Sequence, residues 1–316
     1  MKKLFDRIIT VTLNPALDVT LWISSMDFSE PNKATDEKLY AGGKGINISR
    51  VLASLGEDSL SVGIVGEDNR KVFTDLLNAD GVRHELVSVP GLVRENITLV
   101  IPDKRVLKIN RTGCAASREA MEAVKQSILA EAEAHGSVLI VFAGSLPPNI
   151  TPEAYKAFIL SLKQENVKVA VDTSVFKAED IEEIHPWLIK PNLPEFRQMC
   201  GSNLPTEQSI VKSAQKMTEF VDHVMISLGG KGLLYADAGQ VVRLLPPSVA
   251  VQSTVGAGDT TLAAFIYALQ QGREPAEAAA YASAAGTASV TLDGTGVVTP
   301  EQVEDILGRM TVKNVK

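Results

Sequence analysis

An α/β fold, with a mostly parallel sheet between two layers of helices and a small antiparallel sheet attached, is what this sequence of 316 residues predicts. Three observations carry that reading. Short apolar runs rich in Val and Ile alternate with longer segments of helical period, the pattern of repeated β–α units. Two pairs of strand-like segments break the alternation with no helix between their members. The apolar fraction, 45%, is ample for a large core.

The elements follow in chain order. IITVTL (8–13) reads as a strand and not as a signal peptide, because Asp6 and Arg7 break the apolar run and Asn14-Pro15 ends it. LDVTLWIS (17–24) and ATDEKLYA (34–41) form the first pair of strands outside the rhythm. INISRVLASLG (46–56) is helical, SLSVGIVG (59–66) a buried strand and NRKVFTDLLNADG (69–81) a helix. RENITLVIP (94–102) and KRVLKINR (104–111) make the second odd pair. Helical segments 117–136, 151–166 and 206–220 then alternate with strands SVLIVFAG (137–144), VKVAVDT (167–173), WLIKPN (187–192) and HVMISLG (223–229). Several helices end in Gly or Asn, as helix C-termini do. With no repeat and no long linker, one domain over 1–316 is expected, carrying a lid inserted from about 15–41 and 93–112. Such a flap can close over a site, or it is two exposed hairpins without a role.

Charge and composition narrow the function classes. Lys plus Arg number 31 against 38 Asp plus Glu, a net charge of −7 without a basic block, so neither nucleic acid nor an anionic membrane surface is an expected partner. No apolar stretch is long enough to span a bilayer. Cys114 and Cys200 are too few and too distant for a disulfide framework or a zinc knuckle, and a reducing cytoplasm is the expected setting. His84, His135, His185 and His223 fall in no recognisable motif.

Chemistry concentrates in STVGAGD (253–259), which leads into the apolar segment TTLAAFIYALQQG. Gly256 and Gly258 let the backbone turn tightly with bare N–H groups, and a helix starting near Asp259 adds unpaired N–H donors and a positive dipole end. That is an anion hole. Asp259 has two readings: it caps the helix, or it takes the proton from a hydroxyl attacking phosphorus while the N–H groups hold the charge on the transferred phosphoryl group. The second describes a kinase. Other loops fail on spacing: GxGxxG needs Gly where Thr261 stands, and neither AGGKG (41–45) nor LGGKG (228–232) continues as a P-loop. Ser145 in AGSLPP lacks the GxSxG elbow of a hydrolase.

Six motifs in register carry a resemblance over nearly the whole chain: TLNPALD (12–18), AGGKGINISRVLASLG (41–56), AGSLPP (143–148), KPNLPEF (190–196), SLGGKG (227–232) and STVGAGD (253–259). In these the sequence resembles the PfkB group of ribokinase-like carbohydrate kinases, above all the branch containing 1-phosphofructokinase and tagatose-6-phosphate kinase. The resemblance implies a three-layer αβα sandwich with an antiparallel lid, and ATP and Mg²⁺ as cofactors. It makes Asp259 the catalytic base and the backbone of Gly256, Ala257 and Gly258 the anion hole. Asn192 and Glu195 match an Asn-x-x-Glu element that helps hold magnesium, usually through water; read alone, Glu195 is equally a solvated first-turn residue. Lys190, Asn192, Ser227, Gly229, Gly232 and Thr254 would line the nucleotide. The helix AAAYASAAGTASVTL (278–292) would set small side chains against adenine, or simply pack tightly on the sheet.

On the sugar side the resemblance assigns Asp18 to sugar hydroxyls. Gly42 and Gly43 allow close approach of the sugar, and Asn47 both donates to and accepts from hydroxyls. Arg94 aligns with an arginine that contacts the substrate phosphate, Lys44 is a second candidate, and Lys33, Lys108 and Arg111 on the lid either complete the pocket or are exposed strand-edge charges. KINRTG (108–113) departs from the pattern, with Arg111 and Thr112 where relatives more often carry a carboxylate, Pro or Ala. The expected substrate is fructose 1-phosphate, with tagatose 6-phosphate, fructose 6-phosphate, an unphosphorylated sugar or nucleoside, and a non-catalytic regulatory role as alternatives. The resemblance and the exposed strand edges of the lid permit a homodimer through the lid sheets, and the sequence leaves the oligomeric state open.

Overall fold

The computed structural model describes residues 3–102, 105–292, 294 and 296–315. Asp103 and Lys104, in the predicted lid, lie outside the described residues, as do Met1 and Lys2 at the start of the chain. The first half runs β1 (Arg7–Thr12), β2 (Ala16–Ile23), β3 (Ala34–Gly42), α1 (Lys44–Ser54), β4 (Leu60–Gly66), α2 (Arg70–Ala79), β5 (Arg83–Val89), β6 (Arg94–Val100), β7 (Val106–Asn110), α3 (Arg118–Ala134) and β8 (Val138–Ala143). The second half runs α4 (Pro152–Leu160), β9 (Val167–Asp172), α5 (Ala178–Ile184), β10 (Leu188–Ile189), α6 (Leu193–Met199), α7 (Glu207–Met217), β11 (His223–Ser227), β12 (Leu233–Asp237), β13 (Gln240–Leu245), α8 (Ala257–Gln270), α9 (Pro275–Ser289), α10 (Pro300–Leu307) and β14 (Thr311–Asn314).

Ten strands form the central sheet in the order β14-β13-β12-β11-β10-β9-β8-β1-β4-β5. From β11 to β5 every neighbouring pair is parallel, and β12, β13 and β14 extend the sheet antiparallel. The period-2 alternation of β8 explains the layers. Val138, Ile140 and Phe142 point into one core with Val124 and Ile128 of α3, while Leu139 and Val141 point into the other with Leu52 of α1 and Phe265 of α8. A strand buried on both faces has little room for polar residues, which is why β8 reads as an unbroken apolar run and β4 is interrupted only by the buried Ser61.

The second sheet has the order β3-β2-β6-β7. Its two outer pairs are antiparallel, and the central β2–β6 pair is parallel, with Asp18 opposite Asn96. The chain leaves this sheet after β3, builds β4, α2 and β5 in the body, and returns as β6. Leu17 and Ala41 anchor the lid, packing with Ile46, Phe73 and Leu77.

One predicted strand shrinks. WLIKPN keeps only Leu188–Ile189 in the ladder, since Pro191 has no N–H to donate and Asn192 already caps α6. The carboxyl ends of β1, β8, β9, β10 and β11 share one edge of the sheet, the edge where α/β proteins bind ligands.

Candidate active site

Gly256 caps α8 at φ 76°, a left-handed conformation that favours glycine, and the cap carries no side-chain hydrogen bond. The helix therefore opens with unshielded N–H groups. The cap position belongs to Gly256, so Asp259 is free for another partner: its Oδ2 accepts a 2.8 Å hydrogen bond from Asn47 Nδ2 of α1. Only 7% of Asp259 is exposed. Burial, reinforced by the neighbouring Asp172 carboxylate, pushes its carboxyl up to about 6 against the opposing pull of Lys44, Asn47 and Lys190. A carboxylate of that strength is a competent proton acceptor near neutral pH.

Lysines and carboxylates interlock beside it. Asp172, the last residue of β9, takes Lys44 Nζ at 2.9 Å on Oδ1 and Lys190 Nζ at 3.2 Å on Oδ2. Burial disfavours the Lys44 ammonium, yet Asp172, Asp259 and Glu195 more than reverse this and hold its pKa above the usual lysine range. Asp172, also penalised by burial, is held below the usual range by Lys190 and Lys44. Lys44 thus faces this cluster, reaching Glu195 Oε1 at 4.0 Å.

Asn192 and Glu195 cap α6 reciprocally: Glu195 N–H donates to Asn192 Oδ1 at 2.9 Å, and Asn192 N–H donates to Glu195 Oε2 at 2.8 Å. Among the described residues no group of three or more His, Cys, Asp or Glu side chains could hold a metal ion directly. Glu195 Oε1, outside the cap, fits a hydrated magnesium ion, which keeps most of its waters and takes few protein ligands.

These residues share one cleft of about 630 Å³. Lys44, Lys190, Asn192, Glu195, Ser227, Gly229, Gly232, Thr254 and the Gly256 to Asp259 turn all line it. Ser283, Gly286, Thr287 and Val290 supply one wall from α9 and its C-terminal end, while Ala278, Ala279 and Ala282 of the same helix are buried in the core against α8. That segment therefore has one face on the cleft and one in the core.

The sugar-side residues gather where the lid meets the body. The Asp18 carboxylate lies against Gly42, where an added Cβ would stand 2.2 Å from Oδ2. Asn96 Nδ2 donates to Asp18 Oδ1 at 2.9 Å. Gly43 caps α1 at φ 124°, and a Cβ there would meet Thr12 Cγ2 at 2.8 Å. Arg94 spans the junction: its guanidinium donates to the carbonyls of Asn14 and Arg111 and to Ser145 Oγ, at 3.3, 3.0 and 3.3 Å. Burial lowers its pKa, opposed by Asp18.

Three lid cations fare differently. Lys108 stands opposite Thr98, on the face shared by Asp18 and Asn96, and its charge acts on Asp18. Arg111 turns away to pair with Glu95 at 3.1 Å and offers the site only its carbonyl. Lys33 is not brought to the cluster. It precedes Ala34, which pairs with Ile23, five residues beyond Asp18 along β2 and so roughly 17 Å away at strand rise.

Several groups of this site carry no sequence motif of their own. Asp172 is the chief one; the signal available was a buried strand, VAVDT, ending in a carboxylate at the sheet's carboxyl edge. Asn96 is another, while Asn14 and Ser145 lie inside the TLNPALD and AGSLPP motifs and have contacts that only the fold shows.

The model of the pfkB family carbohydrate kinases matches residues 12–302. The chain belongs to the pfkB family of carbohydrate kinases. It is 32% identical over 310 residues to a 1-phosphofructokinase of Vibrio cholerae serotype O1, covering 97% of this chain and 96% of that one. It is 30% identical over 308 residues to the 1-phosphofructokinase of Escherichia coli K12, covering 97% and 98%. Among solved structures, phosphofructokinase-2 from Escherichia coli in complex with substrates and products superimposes with a TM-score of 0.88 at 25% identity, covering 96% of this chain and 99% of that one. As a pfkB kinase the protein moves a phosphoryl group from ATP to a sugar hydroxyl. Among its described residues no helix is long and apolar enough to cross a membrane.

Proposed function

We propose that this pfkB kinase phosphorylates fructose 1-phosphate to fructose 1,6-bisphosphate, with Asp259 as general base. The observation that carries the substrate reading is Arg94. A guanidinium held at the lid junction by Asn14, Arg111 and Ser145, on the Asp18 side of the site, suits a sugar that already bears a phosphate. The names of the Vibrio and Escherichia relatives point the same way. Buried acceptors without partners among the described residues, Thr12 Oγ1, Asn47 Oδ1 and Asn96 Oδ1, suit the hydroxyls of a sugar.

In this mechanism Asp18 and Asn96 orient the sugar, and Gly42 and Gly43 let it approach the backbone. Asp259 takes the proton of the acceptor hydroxyl as its oxygen bonds to the γ-phosphorus and the bond to the ADP oxygen breaks. Charge on the moving phosphoryl group is met by Lys44, Lys190 and the N–H groups of Gly256, Ala257 and Gly258. Ser227, Gly229, Gly232 and Thr254 line the nucleotide side. Asn192 and Glu195 would hold magnesium through water, which supplies further neutralisation of the triphosphate. Lys108 completes the cationic surround; Lys33 and Arg111 act outside it. For assembly, a homodimer through the lids is supported by Leu107 and Ile109, 45% and 50% exposed on β7. An enzyme that handles phosphorylated metabolites belongs in the cytoplasm, the compartment this reading assigns.

The test is ADP release with ATP and magnesium against fructose 1-phosphate, tagatose 6-phosphate, fructose 6-phosphate, fructose and ribose. The highest kcat/KM is expected with fructose 1-phosphate. Turnover confined to an unphosphorylated sugar would sink the role given to Arg94.

A further inference from the structure

The Asp172 side chain is 1% exposed at the end of β9. A carboxylate so buried is costly unless it is paired, and one partner would suffice. It has two, Lys44 from the first position of α1 and Lys190 from the segment after β10. Three separate stretches of chain are thereby tied at one point, and both lysines act on Asp259. The cleft accommodates the arrangement: at Gly258, in the first turn of α8, an added Cβ would lie 3.0 Å from Lys190 Nζ.

We infer that Asp172 is a positioning residue that holds the Lys44 and Lys190 ammonium groups as two prongs beside the phosphoryl group in flight, Lys44 from the acceptor side and Lys190 from the nucleotide side. This deepens the kinase reading and rests on it. Free of Asp172, the two like charges would separate, Lys44 toward Glu195 and Lys190 away from its buried seat. The role concerns the transition state, in which charge shifts from the nucleotide to the acceptor oxygen, so its signature belongs in kcat and not in substrate affinity.

The experiment is a double-mutant cycle of Asp172→Asn and Lys44→Met, with initial rates at saturating magnesium and thermal unfolding of each variant. Each single change should lower kcat by about 100-fold while both KM values stay within about 3-fold, and the double variant should fall well short of the product of the two single effects, the remainder being the share of Asp172 that acts through Lys190. Multiplying effects would overturn the clamp, and so would an Asp172→Asn variant whose kcat recovers once magnesium is raised tenfold. If Asp172→Asn does not fold, Asp172→Glu keeps the charge and displaces it by one methylene. At wild-type melting temperature its kcat should fall at least 10-fold, and an unchanged kcat would refute the inference. A wild type that turns over none of the sugar phosphates removes the functional reading and the clamp together, whereas an active wild type with uncoupled variants removes the clamp alone.

Discussion

At the scale of single residues, the site's chemistry divides between groups that announce themselves in sequence and groups that only contact reveals. Asp259 belongs to the first kind because its neighbours are glycines. Asp259→Asn should lower kcat about 10³-fold with little change in ATP binding, measured by turnover and by nucleotide-induced thermal shift. Its carboxyl, near 6, also sets a pH limit. As pH falls through 6 the base is protonated, so kcat/KM should decline with unit slope on the acid side. Stability runs the other way. The folded pKa exceeds the unfolded value of about 4, so the native state binds the proton first and Asp259 costs stability once ionised. Asp259→Asn should therefore be more stable than wild type by roughly 1–3 kcal/mol at pH 8, an advantage lost as pH drops from 6 to 4. Arg94→Ala should raise the KM for the sugar phosphate roughly 10- to 100-fold and that for ATP hardly at all, the loss expected for a charge-assisted hydrogen bond. Asp172 could not be picked out this way, because a lone Asp after an apolar strand has no partner until α1 and β10 fold against it.

Elements were legible where burial is two-sided. The parallel strands β1, β4, β8, β9 and β11 are dominated by buried apolar residues, with only Thr10, Ser61 and Lys168 as polar ones between their end residues, so composition marks them. The sheet's flanks were not. β5 alternates polar and apolar residues at one edge, β14 is exposed at the other, and β13 carries a buried arginine in mid-strand. Arg243 has a local reason to be there. Its guanidinium donates to the carbonyls of Lys231 and Leu233 at 2.5 and 3.1 Å and to Glu207 at 3.2 Å, strapping down the 3₁₀ turn Gly229–Lys231. That turn lines the cleft through Gly229 and Gly230, so Arg243→Met should raise the KM for ATP about 5- to 20-fold and leave the sugar KM unchanged. The short charged helix α5 escaped notice because it buries only Ile181 and Ile184.

For the whole molecule, the Asn47–Asp259 hydrogen bond ties α1 to the first turn of α8. The lid is hung from the body at Leu17 and Ala41, with its far end beyond that anchor. If the exposed β7 side chains are the dimer contact, Ile109→Glu should shift the protein from dimer to monomer in sedimentation at micromolar concentration; an unchanged mass would exclude this face.

The parallel pairing of β2 with β6 has a consequence in time. Two hairpins could each form locally, but Asp18 cannot meet Asn96 until β4, α2 and β5 have docked and carried the chain back. Loop closure over that distance makes the central lid ladder a late event. In pulsed hydrogen exchange during refolding, the amides of β6 should gain protection after those of β1, β4 and β8, so that the lid is completed only once the body beneath it has formed.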